Sequence, residues 1–509
     1  QDELLYDGAQ IEQLHSRPVP RAKQLKKQLL RQTRPQQNSA LPLWIYNRFY
    51  RPERAAGPFN WVASRLGQAP RLYTSENARR SQTLMEKYLR DHGFFEARIN
   101  RDTNQTGPQK VRVHYQIRDL NQARFGPLDV PTDSIGTLGA LLQHQANETW
   151  IKTGAPYQLA ALQAERERIT QLAKNKGYYH FRPDDIYYFV DTTRQLGQAD
   201  IYLRINEPES LRQYYIDTPV LYPTYQLNPT SLTDSLTYKD LRIIQSQTYL
   251  KAATLRRIVT QHSGALYSEQ LQEQTINHLL DLGVFKFVNL QYETFTRNDT
   301  SRLRPHIYLT PALSQQVNAE LEASTESTNF LGSTLRGSYT HHNLFKGAER
   351  LEIRLSAGVE TQINNPELPF VNTLELSARA SLEIPRFLNP FGHRPNYGYY
   401  IPRTLILVNN DYQERTGFFT LNAFRTELGY RWQDNQYRKH HLIPLGMHLI
   451  RLISTSPEFE ALLTQNSRLR QGFDNTAITK ENADVVVTWS YGSNETIDGF
   501  DPATDTRFI

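Results

Sequence analysis

The chain has 509 residues, 58 Lys plus Arg against 52 Asp plus Glu, and no cysteine. This length allows roughly three or four domains at ~150 residues each, and a net charge of +6 spread over it gives no basic face to argue for nucleic acid. The lack of cysteine excludes disulfides, thiolate zinc sites and cysteine nucleophiles, and no run approaches the ~18 apolar residues of a transmembrane helix.

The first residues, QDELLYDGAQI, already read as folded sequence, as the processed end of a mature chain would. A short strand is predicted over 4–11 and an amphipathic helix over 21–31, whose basic run RAKQLKKQLLR reads as a solvated face. Residues 35–70 read as an irregular insertion rich in Pro, Arg and aromatics. Trp44, Tyr46, Phe49, Tyr50 and Trp61 are expected to pack it onto its neighbours. After Tyr73, a helix through Leu84, Tyr88 and Leu89 stops at Gly93-Phe94-Phe95, and strands over 97–100 and 111–117 complete a first unit.

A second unit repeats the pattern. It has a strand near 125–130, a helix near 139–144, the turn Gly154-Ala155-Pro156-Tyr157, and a helix through Leu162, Ile169 and Leu172 that stops at Gly177-Tyr178-Tyr179. Asp184-Asp185, beside Pro183, reads as a turn, and strands follow over 186–190 and 201–205. The third has a strand around 214–216, a helix through Leu255 and Ile258, and then GALYSEQLQEQTINHLLDLGVFKFVNLQY over 264–292. There Tyr267 opens a helix whose Leu271, Ile276, Leu279 and Leu280 recur at helical spacing. Gly283 ends it, a strand follows, and a closing strand spans 305–309.

Tyr73 to Gly93 and Tyr157 to Gly177 both span 20 residues, while Tyr267 to Gly283 spans 16. The order strand, helix, helix, strand, strand predicts a three-stranded sheet covered by two helices in each unit. Gly93, Gly177 and Gly283 are expected in left-handed geometry at the helix ends, where the missing Cβ removes a clash.

From about Gln315 the period becomes two. Leu351, Ile353, Leu355, Ala357 and Val359 share one face against Glu352, Arg354, Ser356 and Gly358. Leu374, Leu376, Ala378, Ala380, Leu382 and Ile384 similarly oppose Glu375, Arg379 and Glu383. Eight strands are predicted, over 317–323, 334–341, 351–359, 373–384, 404–412, 418–432, 441–452 and 485–491. Aliphatics on one face and charges on the other fit strands with lipid outside and a wet lumen inside, although a soluble sandwich alternates similarly. Aromatics near strand ends, such as Tyr339, Tyr412, Phe418 and Trp432, favour the membrane reading.

No enzyme signature is present, and no metal or cofactor is expected. The adjacent pairs His341-His342 and His440-His441 point to opposite faces of a strand and lack carboxylate or thiol company.

The GFF, GYY and GVF steps of the three units, the segment Asn343-Leu344-Phe345-Lys346-Gly347-Ala348-Glu349, the opening LLYDGAQI and the stretch WVASRLGQAP together resemble the BamA/TamA superfamily of outer-membrane assembly proteins. Within it the chain is most similar to the TamA-like lipoprotein branch, TamL. The resemblance implies POTRA-like units over 1–120, 121–208 and 209–312 and the N-terminal half of an outer-membrane β-barrel over 313–509. The family's barrel has more strands than are predicted here, so the chain is expected to lack its C-terminal half. The lipoprotein branch also implies a lipidated N-terminal cysteine, which could only precede Gln1.

The resemblance further implies a non-enzymatic protein of the outer membrane with its POTRA units in the periplasm. Such a protein guides unfolded outer-membrane clients and inserts them by strand pairing at a barrel seam. Outer-membrane lipid and lipopolysaccharide, and a periplasm-spanning or inner-membrane protein, are the further partners implied. A two-partner-secretion pore and a barrel-anchored envelope scaffold stay open as alternatives, the first disfavoured by the count of three units. Two edges are expected to take client strands through main-chain hydrogen bonds. One is the first barrel strand, Val317, Asn318, Ala319, Glu320, Leu321, Glu322 and Ala323. The other is the last POTRA edge, Phe285, Lys286, Phe287, Val288, Asn289, Leu290, Gln291 and Tyr292.

Overall fold

A computed structural model describes residues 5–13, 22–33, 40–51, 58–108, 110–131, 136–206, 211–225, 234–325, 330–362, 372–388, 400–433, 438–466 and 486–491. The chain divides into two compact units, Gln1–Lys174 with Tyr178–Arg212, and Asn175–Gly177 with Gln213–Ile509.

The first compact unit opens with β1 (Leu5–Gln13), α1 (Ala22–Arg31), α2 (Ala40–Phe49), α3 (Pro58–Leu66), α4 (Ser75–Asp91), β2 (Arg98–Gly107) and β3 (Lys110–Arg118). The sheet order is β1-β3-β2, with β3 parallel to β1 and antiparallel to β2. The alternation of β3 turns Val113, Tyr115 and Ile117 inward against Leu25 and Leu29 of α1 and Met85 and Leu89 of α4. Each such side chain removed from water contributes about 1.5–3 kcal/mol, which holds two amphipathic helices on one sheet face.

The same plan recurs in β4 (Arg124–Asp129), α5 (Gly136–His144), α6 (Leu159–Lys174), β5 (Ile186–Asp191) and β6 (Gln198–Ile205), with order β4-β6-β5, the first pair parallel and the second antiparallel. Leu138 and Leu142 of α5 meet Ile169 and Ala173 of α6, with Tyr178 and Phe181 beyond the helix stop. Asp184 and Asp185 lie in a single 3-10 turn, Pro183–Asp185.

The insertion departs from expectation. It is not irregular: α2 and α3 form a helical hairpin. Trp44, Tyr50 and Trp61 do not pack it onto the neighbouring elements, since they are exposed, and among the described residues none of the hairpin belongs to the unit's hydrophobic cores. Proline at positions 42 and 58 disguised the helices, although Pro58 occupies the first position of α3, where the missing N–H costs nothing.

The second compact unit begins with β7 (Tyr215–Ile216), β8 (Val220–Tyr222), β9 (Asp234–Tyr238), β10 (Leu241–Gln245), α7 (Ala252–Ile258), α8 (Glu269–Asp281), β11 (Phe285–Arg297) and β12 (Thr300–Pro311). The three-stranded sheet expected here is instead six-stranded, in the order β11-β12-β8-β10-β9 with β7 also on β12. Strands β8, β9 and β10 have three to five residues, too few for an alternation to register in sequence. In α8 the buried residues are Thr275, His278 and Leu279, whereas Leu280, expected inside, is exposed.

Only residues 312–314 separate β12 from the large sheet. That sheet comprises β13 (Gln315–Thr325), β14 (Phe330–His341), β15 (Arg350–Gln362), β16 (Thr373–Ile384), β17 (Arg403–Arg415), β18 (Phe419–Gln433), β19 (Arg438–Thr455) and, after α9 (Pro457–Gln465), β20 (Val486–Tyr491). The eight strands run in sequence order and every neighbouring pair is antiparallel. All eight predicted strands are present, several longer than expected. Helix α9, which the sequence did not suggest, places Phe459 5.2 Å from Phe419.

The register carries the two-faced pattern across the sheet. Leu321 opposes Leu335, which opposes Ala357, which opposes Leu376. One residue over, Glu320 opposes Arg336, which opposes Ser356, which opposes Ser377. Leu335, Leu355 and Leu376 are 57%, 58% and 43% exposed, so the apolar face is left open by the described residues. A surface of this kind suits hydrocarbon as its solvent. Among the described residues no helix is long and apolar enough to cross a membrane.

Candidate strand-pairing site

Strand β11 is an outer strand of its sheet. It pairs with β12 from Phe285 opposite Pro311 to Arg297 opposite Thr300, with one irregularity between Phe285 and Phe287. Asn298 and Asp299 close the hairpin with φ of +50° and +58°, the left-handed pair that a two-residue hairpin turn requires and that Asn and Asp tolerate. Val288 and Leu290 pack from this edge onto the core that contains Leu255, Leu279, Ile307 and Leu309. Phe287 instead is 60% exposed with the Lys286 ammonium over its ring. Tyr292 meets Tyr267 edge to face at 5.6 Å and accepts a hydrogen bond from Gln261. One face of β11 is thus anchored, and its outer backbone edge is left to one side.

Strand β13 is the first of the large sheet and pairs with β14 from Gln315 opposite His341 to Thr325 opposite Leu331, without a bulge. Bulges and inward charges are common ways of blunting an edge, and β13 has no bulge to do so. Val317 and Leu321 on its apolar face are 75% and 74% exposed. On the other face Glu322 pairs with Arg336. Both expected edges therefore occupy outer positions, joined through β12 and residues 312–314.

The segment between β14 and β15 fixes how these edges are held. Asn343 donates from Nδ2 to the Tyr249 carbonyl at 2.8 Å and accepts from the Ala348 N–H at 3.1 Å. Glu349 Oε2 accepts from the N–H groups of Phe345 at 3.2 Å and Gly347 at 2.8 Å. A Cβ on Gly347 would lie 2.2 Å from Glu349 Oε1, so a larger residue there would push that carboxylate from its present place. Lys251 donates its N–H to the Lys346 carbonyl at 2.8 Å, and Ala348 sits in the core beside α7 and α8. Tyr249, whose phenol burial pushes up, donates to the Val284 carbonyl at 2.8 Å, immediately before β11.

A second fastening is ionic. Arg403, at the start of β17, reaches Asp281 Oδ1 and the Asp281 carbonyl, both at 2.7 Å, and also pairs with Glu383. Arg431 reaches the same Glu383 at 3.3 Å. Sequence reasoning missed Tyr249, Asp281 and Arg403, which are scattered singly through the chain and acquire their roles only by folding. Gly93, Gly177 and Gly283 all carry positive φ, at +83°, +98° and +69°. Among the described residues no group of three metal-ligating side chains occurs.

The fold joins β-α-α-β-β units to an antiparallel sheet with the face alternation of an outer-membrane barrel. No family model and no curated protein matches the chain. Solved structures similar to it include BamA from Haemophilus ducreyi lacking POTRA domains 1–3, at 12% identity and a TM-score of 0.39, covering 73% of this chain and 60% of that one. CdiB from Acinetobacter baumannii is similar at 9% identity and a TM-score of 0.38, over 73% of this chain and 59% of that one. POTRA domains 3–5 of Haemophilus influenzae BamA are similar at 12% identity and a TM-score of 0.28, over 60% of this chain and 96% of theirs. The chain thus spans about 60% of the length of the barrel-containing structures.

Proposed function

We propose that the chain is an outer-membrane assembly factor of the BamA/TamA superfamily, of the TamL branch, with its α/β units in the periplasm. Unfolded outer-membrane proteins are the clients. A client strand adds first to β11 and then to β13, where it enters the lipid already paired. The observation that carries this reading is that two outer strands, β11 and β13, end separate sheets that β12 and residues 312–314 join directly in the chain. An edge binds through backbone N–H and C=O groups and demands little of the client's side chains, which suits a factor with many clients.

Photocrosslinking tests it. A photoreactive residue at Glu320 or Asn289 is expected to capture an unfolded barrel protein during its insertion into proteoliposomes. Leu321→Pro, which deletes a ladder donor, should slow that insertion while Leu321→Ala should not. Normal insertion by the proline variant, with no adduct at either position, would overturn the proposal.

A further inference from the structure

The hairpin of α2 and α3 has an exposed surface that the strand-pairing role leaves unused. Its closure is tight. Asn60 accepts from the Arg51 N–H at 2.8 Å and donates to the Arg51 carbonyl at 2.9 Å, and a Cβ on Gly67 would meet the Ala63 carbonyl at 2.5 Å and Tyr46 Cα at 2.9 Å. Ala63, fully buried, is the filling between the helices. Having spent its small residue on closure, the hairpin turns its large ones outward: Leu41 is 66% exposed, Trp44 58%, Phe59 52%, Trp61 61% and Leu66 60%. Phe59 and Trp61 lie on opposite sides of α3, so these exposed rings do not line one sheltered groove.

The polar groups among these rings are of one sign. The described residues from 40 to 72 include Arg48, Arg51, Arg65 and Arg71 and no Asp or Glu. Arg48 lies over the Phe49 ring at 6.0 Å and Arg51 over Phe59 at 5.4 Å, which keeps cationic heads beside the aromatic bodies. Tryptophan and tyrosine favour the headgroup level of a bilayer, and arginine adds attraction to anionic headgroups. Among its described residues this surface carries no carboxylate, and so offers neither a slot for an extended peptide nor a partner for a basic protein; in the sequence, Glu53 of the connecting segment is adjacent to Arg54.

We infer that the α2–α3 hairpin is an interfacial anchor that docks on an anionic lipid surface, with Leu41, Trp44, Trp61 and Leu66 entering the headgroup region and Arg48, Arg51 and Arg65 meeting phosphate. This rests on the hairpin alone and is independent of strand pairing at β11 and β13.

Because the chain has no cysteine, Leu41→Cys gives a unique site for an environment-sensitive nitrobenzoxadiazole label, with Leu66→Cys as a second, independent position. The protein, held in phosphatidylcholine discs, is titrated with vesicles of equimolar phosphatidylethanolamine and phosphatidylglycerol, with vesicles of phosphatidylcholine alone, and with an unfolded polypeptide. Emission at both positions should shift to the blue with the anionic vesicles and be quenched by spin-labelled lipid. The combined changes R48Q, R51Q and R65Q should weaken that binding roughly 100-fold, at about fivefold per charge. An unchanged emission, a shift indifferent to lipid charge, or a shift produced only by the polypeptide would each overturn the inference.

Discussion

The Asn343 side chain and the Tyr249 backbone are joined by a 2.8 Å hydrogen bond that ties the turn between β14 and β15 to the loop ahead of α7. The same Tyr249 donates its phenol to Val284, one residue before β11. One side chain and one carbonyl therefore link a turn of the large sheet to the start of a candidate client-binding edge.

Replacing Asn343 by Ala removes a donor to Tyr249 and an acceptor for the Ala348 N–H in a buried setting. The expected loss is about 1–3 kcal/mol of local stability. Hydrogen exchange by mass spectrometry should show faster exchange in peptides covering 343–349 and 249–251, with protection of β2 and β3 unchanged.

Arg403→Met leaves Asp281 and Glu383 without their shared cation. Glu383 is only 15% exposed and keeps just the longer Arg431 contact at 3.3 Å, so losing its closer partner costs roughly 1–3 kcal/mol. Thermal unfolding should move to lower temperature, and Arg403→Lys should recover only part of the loss because a single ammonium cannot span both acids.

Asp240 and Arg256 give a pH-dependent contribution. Burial would raise the Asp240 carboxyl, but the hydrogen bonds and charge of Arg256, with backbone N–H groups of Asp240 and Ser263, hold it below the usual carboxylate range. A depressed folded-state value adds stability above the unfolded value of about 4, and this is lost as pH falls through the folded value. Wild type should therefore exceed Asp240→Asn in unfolding free energy by a constant amount near neutrality. The gap should close below about pH 4.

Two glycines at equivalent helix ends should respond unequally to alanine. At Gly93 the new Cβ would sit 2.9 Å from Tyr157 Cβ and 3.2 Å from the Ala123 carbonyl, on a backbone already at φ +83°. At Gly283 nothing lies within 4 Å, so only the left-handed backbone is strained. Gly283→Ala is expected to cost about 1 kcal/mol and Gly93→Ala clearly more, measurable by denaturant titration.

The parts legible in the sequence were those governed by period and punctuation. Helix stops at Gly93, Gly177 and Gly283 follow from one residue's freedom, and β15 and β16 announce themselves through long two-residue alternation. Short elements left no such trace: β8 has three residues, and its place between β12 and β10 is decided by tertiary packing. The helices α2 and α3 were hidden by proline and by aromatics that usually signal a core, here turned to the outside. Tyr249, Asp281 and Arg403 were invisible because a carbonyl acceptor or a lone ion pair gains meaning only from its partner's position.

The three-residue link between β12 and β13 has a mechanical consequence. A slack tether would absorb tension, but residues 312–314 give little extension, and the Asn343 and Arg403 fastenings hold the same junction from two further directions. Force applied to the free end of the β11–β12 hairpin, some dozen residues away, would reach β13 as torque on its first hydrogen bonds. A polypeptide pulling on that lever would peel the large sheet from its first strand, and from the end nearest the hinge.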